Sequence, residues 1–243
     1  MKVTDAVWEL RNLGVSTQEV EIVDNDSIET VKNQLKELDA LYQVVKVVNC
    51  RPDYYSLLMG EGFSFVEALI RVSYNLKELT CPRHIKRFSD ELTFDEMNDD
   101  EIALMMAQIR GGVFRTDRVT LDPFFSKEQA ANRYVMWMKD EIERGSHLFN
   151  YKYKGEPISY TCMKVMDKGR VFPVLGALYN IGKPLPIGNV TVFKQLEIAQ
   201  SLGGKELFTY ISANNTAAVR VYSQLGYLFE DIKYVFVKHK KET

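Results

Sequence analysis

The sequence has few of the features that mark membrane, secreted or metal-binding proteins. No run of about 18 apolar residues occurs, so no membrane-spanning helix is expected. Three cysteines, Cys50, Cys81 and Cys162, are odd in number and far apart, which predicts reduced thiols and an intracellular setting. The histidines are also scattered without metal-ligand spacing, so no metal is expected. Because the first ten residues include Asp5 and Glu9 rather than an apolar signal core, the expected location is the cytoplasm.

An excess of positive charge is also lacking. The 243 residues include 31 basic and 33 acidic side chains, for a formal net charge of −2. Nucleic-acid binders usually carry a basic excess or stripe, so no nucleic-acid partner is expected. With 46% hydrophobic and 26% charged residues, the composition is that of a globular protein with enough apolar material for a core.

Residues 1–88 are predicted to form a smaller N-terminal α/β domain. Strand patterns at residues 19–23 and 43–48 enclose a helix, and Pro52 fits the first turn of a second helix, which precedes a strand at residues 63–74. Residues 89–101 contain seven acids and no base, which predicts an acidic linker. Its acids either pair with the bases just before it or form a solvated connector.

Residues 102–243 are predicted to form a second domain with the order β-α-β-β-β-α-β-α-β. The first strand is expected at residues 113–121, and Ser126 with Gln129 forms a capping-box pattern ahead of a long helix. The strands at 148–153 and 158–165 are joined by a hairpin signal, KGEP. The elements that follow are a strand at 170–179, a helix at 190–202, a strand from residue 207, a helix from about residue 216, and a strand at 227–237.

The last strand–helix–strand unit carries the most informative spacing. Asn215, Ala218 and Tyr222 fall on one face of the predicted helix, and Gly226 followed by Tyr227 ends it. These five positions match the motif N-x-x-A-x-x-x-Y-x-x-x-G-[FY], and the chain resembles the GNAT N-acetyltransferase superfamily over about residues 100–238. The resemblance implies the GNAT fold, an α/β (α+β) architecture with a mixed central sheet flanked by helices. It also implies acetyl-CoA as cosubstrate.

The N-terminal domain carries a weaker echo of this unit. Residues 55–74 and 222–237 share Tyr-Ser, Leu, Gly, an aromatic residue, an acid and then a strand. One interpretation is a degenerate half of the GNAT fold, and the other is chance similarity between two helix–Gly–strand units.

The resemblance places the cofactor's pyrophosphate at residues 183–188. Lys183 keeps a positive charge and Gly188 keeps the last small residue, but Pro184 and Pro186 each remove a backbone N–H that could meet a phosphate. The remaining amides are those of Leu185, Ile187, Gly188 and Asn189. Two interpretations stay open: reduced but retained pyrophosphate contact, or a rigid loop that binds nothing.

The same resemblance assigns roles around the thioester. Leu178 and Tyr179 end the strand whose backbone N–H would face the acyl oxygen, and Asn215 with Ala218 would hold the pantetheine arm. Tyr222 would act as the general acid that protonates the departing thiolate, although a buried Tyr there could instead be ordinary packing.

No general base can be assigned from the sequence. The acidic and polar candidates near strand ends are Glu156, Asp117, His147 and Tyr160, and no motif supports any of them.

The acceptor is expected to be a small-molecule amine. Residues 114–144 look like bacterial nucleotide-sugar N-acetyltransferases of the dTDP-fucosamine type, which implies an amino sugar linked to a nucleotide. Arg118 would then pair with an anionic acceptor, or else form a structural ion pair with Asp122 or Asp117. A homodimer is one possible oligomeric state. The competing hypothesis is a GNAT-like binding or assembly module that has lost catalysis.

Overall fold

A computed structural model describes residues 1–48, 51–180 and 187–240. Within these residues, ten strands form one mixed sheet that is flanked by α-helices. The strands are β1 (Lys2–Asp5), β2 (Thr17–Ile22), β3 (Tyr42–Val48), β4 (Ser64–Asn75), β5 (Leu92–Glu96), β6 (His147–Tyr153), β7 (Glu156–Met166), β8 (Arg170–Leu178), β9 (Glu206–Ser212) and β10 (Leu228–His239). The helices are α1 (Val7–Leu13), α2 (Ile28–Glu37), α3 (Pro52–Gly60), α4 (Arg83–Glu91), α5 (Asp99–Arg110), α6 (Arg118–Leu121), α7 (Lys127–Glu143), α8 (Gly188–Ser201) and α9 (Thr216–Gln224).

The two halves of the chain share this sheet by exchanging their last strands. The strand order is β1-β2-β3-β10-β4-β9-β8-β7-β6-β5, so β4 lies between β9 and β10. The pairings β1–β2 antiparallel, β2–β3 parallel and β3–β10 antiparallel recur as β7–β8, β8–β9 and β9–β4. The strand order therefore relates the halves by an approximate twofold symmetry, while their division into domains 1–88 and 102–243 remains a prediction.

The acidic segment 89–101 is built into regular structure. It completes α4, forms β5 at the edge of the sheet, and opens α5. The helix cap is Asn98, whose side-chain oxygen accepts from the N–H of Glu101 at 3.0 Å, while the Glu101 carboxylate accepts from the N–H of Asn98 at 3.1 Å. Charged residues suit an edge strand because they discourage pairing with another chain.

The strand predicted at residues 113–121 is wrong. The Asp117 carboxylate accepts from the N–H of Val119 at 3.0 Å and from the Thr120 hydroxyl at 2.6 Å, and this cap starts the short helix α6. A side chain that satisfies nearby backbone N–H groups competes with strand pairing, which explains the difference. The Ser126–Gln129 capping box predicted for α7 is present.

The helices form two layers on the C-terminal half of the sheet. Helices α4, α8 and α9 pack against a core that includes Tyr151, Phe193 and Leu207. Helices α5 and α7 cover the opposite face, where Met138 of α7 and Tyr160 of β7 belong to one core. Helices α1 and α6 join α7 on that opposite face, where they pack on β3 and β10. An opening through the sheet would therefore connect the α8/α9 layer with the α6/α7 layer.

Candidate functional site

Such an opening exists because β8 and β9 separate after two residue pairs. Arg170 pairs with Glu206 and Val171 with Leu207, and no further pair joins the two strands in this part of the described chain. Two residues on, Pro173 has no N–H to donate, and its carbonyl accepts instead from the Thr209 hydroxyl at 3.1 Å.

A bulge in β8 adds to the separation. On the β7 side, Cys162 pairs with Leu175 and Met163 with Pro173, so Val174 is the extra residue of a bulge. A bulge bends and twists the strand that carries it, here at the point where β8 leaves β9. The proline and the bulge together hold the two parallel strands apart.

A cavity of about 810 Å³ fills this gap and reaches both helical layers. Gly188, Asn215 and Tyr222 line it from α8 and α9, and Asp117 and Tyr134 line it from the opposite layer. Its volume lies within the range of ligand sites for small molecules and cofactors. The gap between β8 and β9 is therefore the candidate site.

The helix α9 places the predicted register on the cavity wall. Asn215 is its N-cap, and its side-chain oxygen accepts from the N–H of Ala218 at 3.0 Å. Asn215 and Ala218 are half-buried and line the cavity, and Tyr222 lies two turns on with 7% of its surface exposed. Burial raises the pKa of Tyr222, which keeps its phenol protonated at neutral pH.

The end of β8 offers one of its two predicted amides to the cavity. The N–H of Tyr179 donates to the carbonyl of Ile158 at 2.8 Å, and its hydroxyl donates to Asn150 at 2.6 Å. Tyr179 is thus used within the protein, which corrects its predicted role. Backbone N–H groups alternate in direction along an antiparallel strand, so the N–H of Leu178 points away from β7 and toward the gap. Leu178 lines the cavity and is 41% exposed.

The start of α8 contributes backbone rather than side chains. Gly188 lines the cavity, whereas Ile187 is buried in the core and the Asn189 side chain donates to Gln224 at 2.9 Å. The first N–H groups of any helix lack partners within it, so those of Gly188 and Asn189 can meet an anion. Lys183 lies outside the described residues, as do Pro184 and Pro186.

Arg118 is held by carboxylates other than those expected. Its guanidinium pairs with Glu19 at 2.5 Å and with Glu9 at 3.3 Å, so the predicted pairings with Asp122 or Asp117 are wrong. Asp122 instead contacts His239 at 2.7 Å. Arg118 lines the cavity, but only 8% of its surface is exposed.

A chain of ion pairs surrounds Arg118. Arg133 pairs with Glu9 at 2.8 Å, and Lys46 pairs with Glu19 at 2.7 Å. Burial opposes ionisation of Glu19, but the charges of Arg118 and Lys46 outweigh it and lower its pKa to about 2. This network ties helices α1, α6 and α7 to strands β2 and β3.

The four candidate bases divide between the cavity and the surface. Asp117 and Tyr160 line the cavity, although the Asp117 carboxylate also caps α6. Glu156 is exposed at the start of β7, and His147 lies 3.8 Å from Glu96. Neither of these two lines the cavity.

Sequence reasoning missed one carboxylate, Glu67 in the middle of β4. It lines the cavity with 3% of its surface exposed, and its Oε2 atom has no hydrogen-bond partner among the described residues. Burial raises its pKa, while hydrogen bonding at Ser212 and at the backbone N–H of Arg118, together with the charge of Arg118, acts in the opposite direction. The only sequence signal for Glu67 was an acidic residue inside a predicted strand of the N-terminal half. That signal points to the site only when β4 is known to lie beside β9.

In residues 1–48, 51–180 and 187–240, no group of three or more His, Cys, Asp or Glu side chains is arranged to hold a metal ion. None of the helices formed by the described residues has the length and apolar character needed to cross a membrane.

No protein-family model and no curated protein matches the chain. Solved structures do resemble it. A GCN5-related N-acetyltransferase from Sphaerobacter thermophilus aligns with a TM-score of 0.62 and 11% identity, over 98% of this chain and 75% of that one. A GCN5-related N-acetyltransferase from Kribbella flavida aligns with a TM-score of 0.56 and 13% identity, over 93% of this chain and 82% of that one. A tandem GNAT protein from the clavulanic acid biosynthesis pathway aligns with a TM-score of 0.56 and 12% identity, over 93% of this chain and 76% of that one. These likenesses show that the chain has the GNAT fold.

Proposed function

We propose that the protein is an acetyl-CoA-dependent N-acetyltransferase that transfers an acetyl group to a primary amine of a small molecule. The observation that carries the proposal is the cavity between β8 and β9, which Asn215, Ala218 and Tyr222 line in one register. A pantetheine arm is long and thin, and a gap between two parting strands suits it. The acetyltransferase structures that share this fold support the same reaction class.

The cosubstrate's binding groups come from three elements. The first N–H groups of α8 would meet the pyrophosphate, and the Asn215 amide would hold the pantetheine arm. The N–H of Leu178, which faces the gap, would donate to the acyl oxygen as charge develops on it. A single such donor contributes about 3 kcal/mol to the transition state.

Tyr222 is the proposed general acid. A phenol whose pKa is raised by burial stays protonated until a thiolate forms beside it. The amine nitrogen would bond to the acyl carbon, the C–S bond would break, and the departing sulfur would take the Tyr222 proton. Tyr222 lines the cavity from α9, so the departing sulfur would lie on the α8/α9 side of the sheet. Asp117 and Tyr134 line the cavity from the opposite side.

The acceptor is proposed to enter from the α6/α7 layer. Phe114, Tyr134 and Trp137 line that part of the cavity. The four cations on the wall each pair with a carboxylate: Lys46 with Glu19, Arg118 with Glu19 and Glu9, Arg133 with Glu9, and Arg144 with Glu141. A diphosphate would have to displace these carboxylates, so the pairing favours an amine without a nucleotide over a nucleotide-linked amino sugar.

Release of CoA thiol in the presence of amines tests this proposal. The protein is incubated with acetyl-CoA and, in separate reactions, with phenethylamine, spermidine, glucosamine and a dTDP-linked amino sugar. Thiol release that depends on the amine supports the enzyme, and the preferred acceptor identifies the class. If acetyl-CoA binds but no amine is acetylated, the alternative of a GNAT-like module without catalysis is favoured instead.

A further inference from the structure

We propose that Glu67, a residue of the N-terminal half, binds the ammonium group of the acceptor and serves as the general base of the acetyl transfer. This inference rests on the proposed function. It assigns a base from the N-terminal half, whose strand β4 is inserted beside β9.

The position of β4 brings Glu67 to the open end of the gap. Leu69 pairs with Ser212, the last residue of β9, and the N–H of Ala213 donates to the carbonyl of Ala68 at 2.8 Å. Glu67 therefore lies just beyond the end of β9, where the chain turns toward Asn215. Its neighbour two residues on, Leu69, packs on the same face as α6 and α7.

The carboxylate of Glu67 is buried and incompletely satisfied, and the residue forms part of the cavity wall. A buried polar atom without a partner is unfavourable, and a hydrogen bond from a bound ligand would remove that cost. Its Oε2 atom has no partner among the described residues, and it is the atom that we propose accepts a hydrogen bond from the acceptor amine. A primary ammonium offers three such donors and a compensating charge.

The groups that face Glu67 leave it suited to accept a proton. They are Arg118 and the capping residue Asp117 at α6, Ser212 on β9 and Tyr134 on α7, with Glu9, Glu19 and Tyr42 around Arg118. Arg118 is shared with Glu9 and Glu19, which weakens its hold on Glu67. On β10, the residue paired with Glu67 is the apolar Val235. Burial raises the pKa of Glu67 above the ordinary glutamate value, which makes the carboxylate a stronger base.

The proton balance is complete with groups already assigned. The ammonium nitrogen gives one proton to Glu67, attacks the acyl carbon as a neutral amine, and gives up a second proton as the amide forms. The first proton passes from Glu67 to solvent. The second replaces the proton that Tyr222 gives to the thiolate, so the products are an amide, a thiol and one free proton.

The direct test follows the Glu67 carboxyl carbon by NMR in the full chain labelled with ¹³C-glutamate, with Glu67→Gln identifying the resonance. Phenethylammonium chloride is the probe. The expected result is a Glu67 pKa above the ordinary glutamate value that falls when the probe binds, since a cation favours the ionised form. A resonance that titrates normally, or that the probe does not move, overturns the proposal whether or not acetyl-CoA binds.

The kinetic test compares Glu67→Gln with Glu67→Asp, using phenethylamine and, as an amine that is already neutral, aniline. We expect Glu67→Gln to lower kcat/KM for phenethylamine by on the order of 100-fold and to flatten the acidic limb of its pH profile. The loss with aniline should be much smaller, Glu67→Asp should recover part of the activity, and the Kd for acetyl-CoA should stay within about twofold. Equal losses for both amines, or an unchanged pH profile, would assign Glu67 a structural role.

The two proposals can fail separately. Absence of acetyl-CoA binding removes the proposed function, while the NMR titration still decides whether Glu67 binds an ammonium. Transfer that proceeds unchanged in Glu67→Gln removes only the role of Glu67. Circular dichroism and a thermal melt of both variants establish that they fold.

Discussion

The rings of Tyr222 and Tyr227 meet edge to face, with centroids 4.7 Å apart and planes at 70°. Both tyrosines are buried, but only Tyr222 lines the cavity, and the Tyr227 hydroxyl has no hydrogen-bond partner among the described residues. The pair therefore offers a matched comparison between a phenol assigned a chemical role and one that serves packing.

Tyr222→Phe should lower kcat by on the order of 100-fold, because a general acid typically contributes about that much. Acetyl-CoA binding should change little, since the ring remains. Tyr227→Phe is the control and should leave both quantities almost unchanged. Equal turnover in wild type and Tyr222→Phe would remove Tyr222 from the acid role.

Asn215 combines a cap and a proposed ligand contact, and two substitutions separate them. Asn215→Ala removes the acceptor for the Ala218 N–H and should cost about 1 kcal/mol of unfolding free energy. Asn215→Ser keeps a capping oxygen and should keep the stability. Both variants should bind acetyl-CoA more weakly when titrated, because neither retains the amide. Full affinity in Asn215→Ser would show that the residue only caps α9.

Gly176 on β8 allows the close approach of α8 and β7. A Cβ there would lie 3.0 Å from the Gln195 amide nitrogen and 3.0 Å from the Tyr160 carbonyl oxygen. Gly176→Ala should therefore cost about 1–3 kcal/mol of stability and weaken acetyl-CoA binding. Gly60→Ala, where a Cβ meets nothing within 4 Å, is the control and should be neutral or slightly stabilising. Denaturant unfolding compares the two, and a fully stable Gly176→Ala would contradict the close approach.

The depressed pKa of Glu19 predicts an acid-sensitive fold. A carboxyl with a lower pKa in the folded state stabilises the protein above its unfolded pKa, and this stabilisation is lost as the pH falls from about 4.5 to 2. The loss should amount to on the order of 3 kcal/mol. Glu19→Gln should be less stable at pH 7 and should show a weaker pH dependence in this window. Parallel pH profiles of wild type and variant would contradict the ion-pair network.

Several local patterns were predicted correctly from the sequence, whereas the long-range strand pairings were not. The Ser126–Gln129 capping box and the register of Asn215 and Tyr222 depend on residues within a few turns of each other, so spacing alone predicts them. The strand expected at 113–121 failed because Asp117 caps a helix there. The pairing of β4 with β9 joins residues far apart in the chain, and no local pattern specifies it. Glu67 could not be placed in the site for that reason.

The central claim is that acetyl-CoA binds between β8 and β9. Calorimetric titration of the full chain with acetyl-CoA, with free acetate as the control ligand, tests it most directly. We expect saturable binding at one site per chain, weakened in Asn215→Ser and unchanged in Tyr227→Phe. No heat of binding at millimolar acetyl-CoA would contradict it.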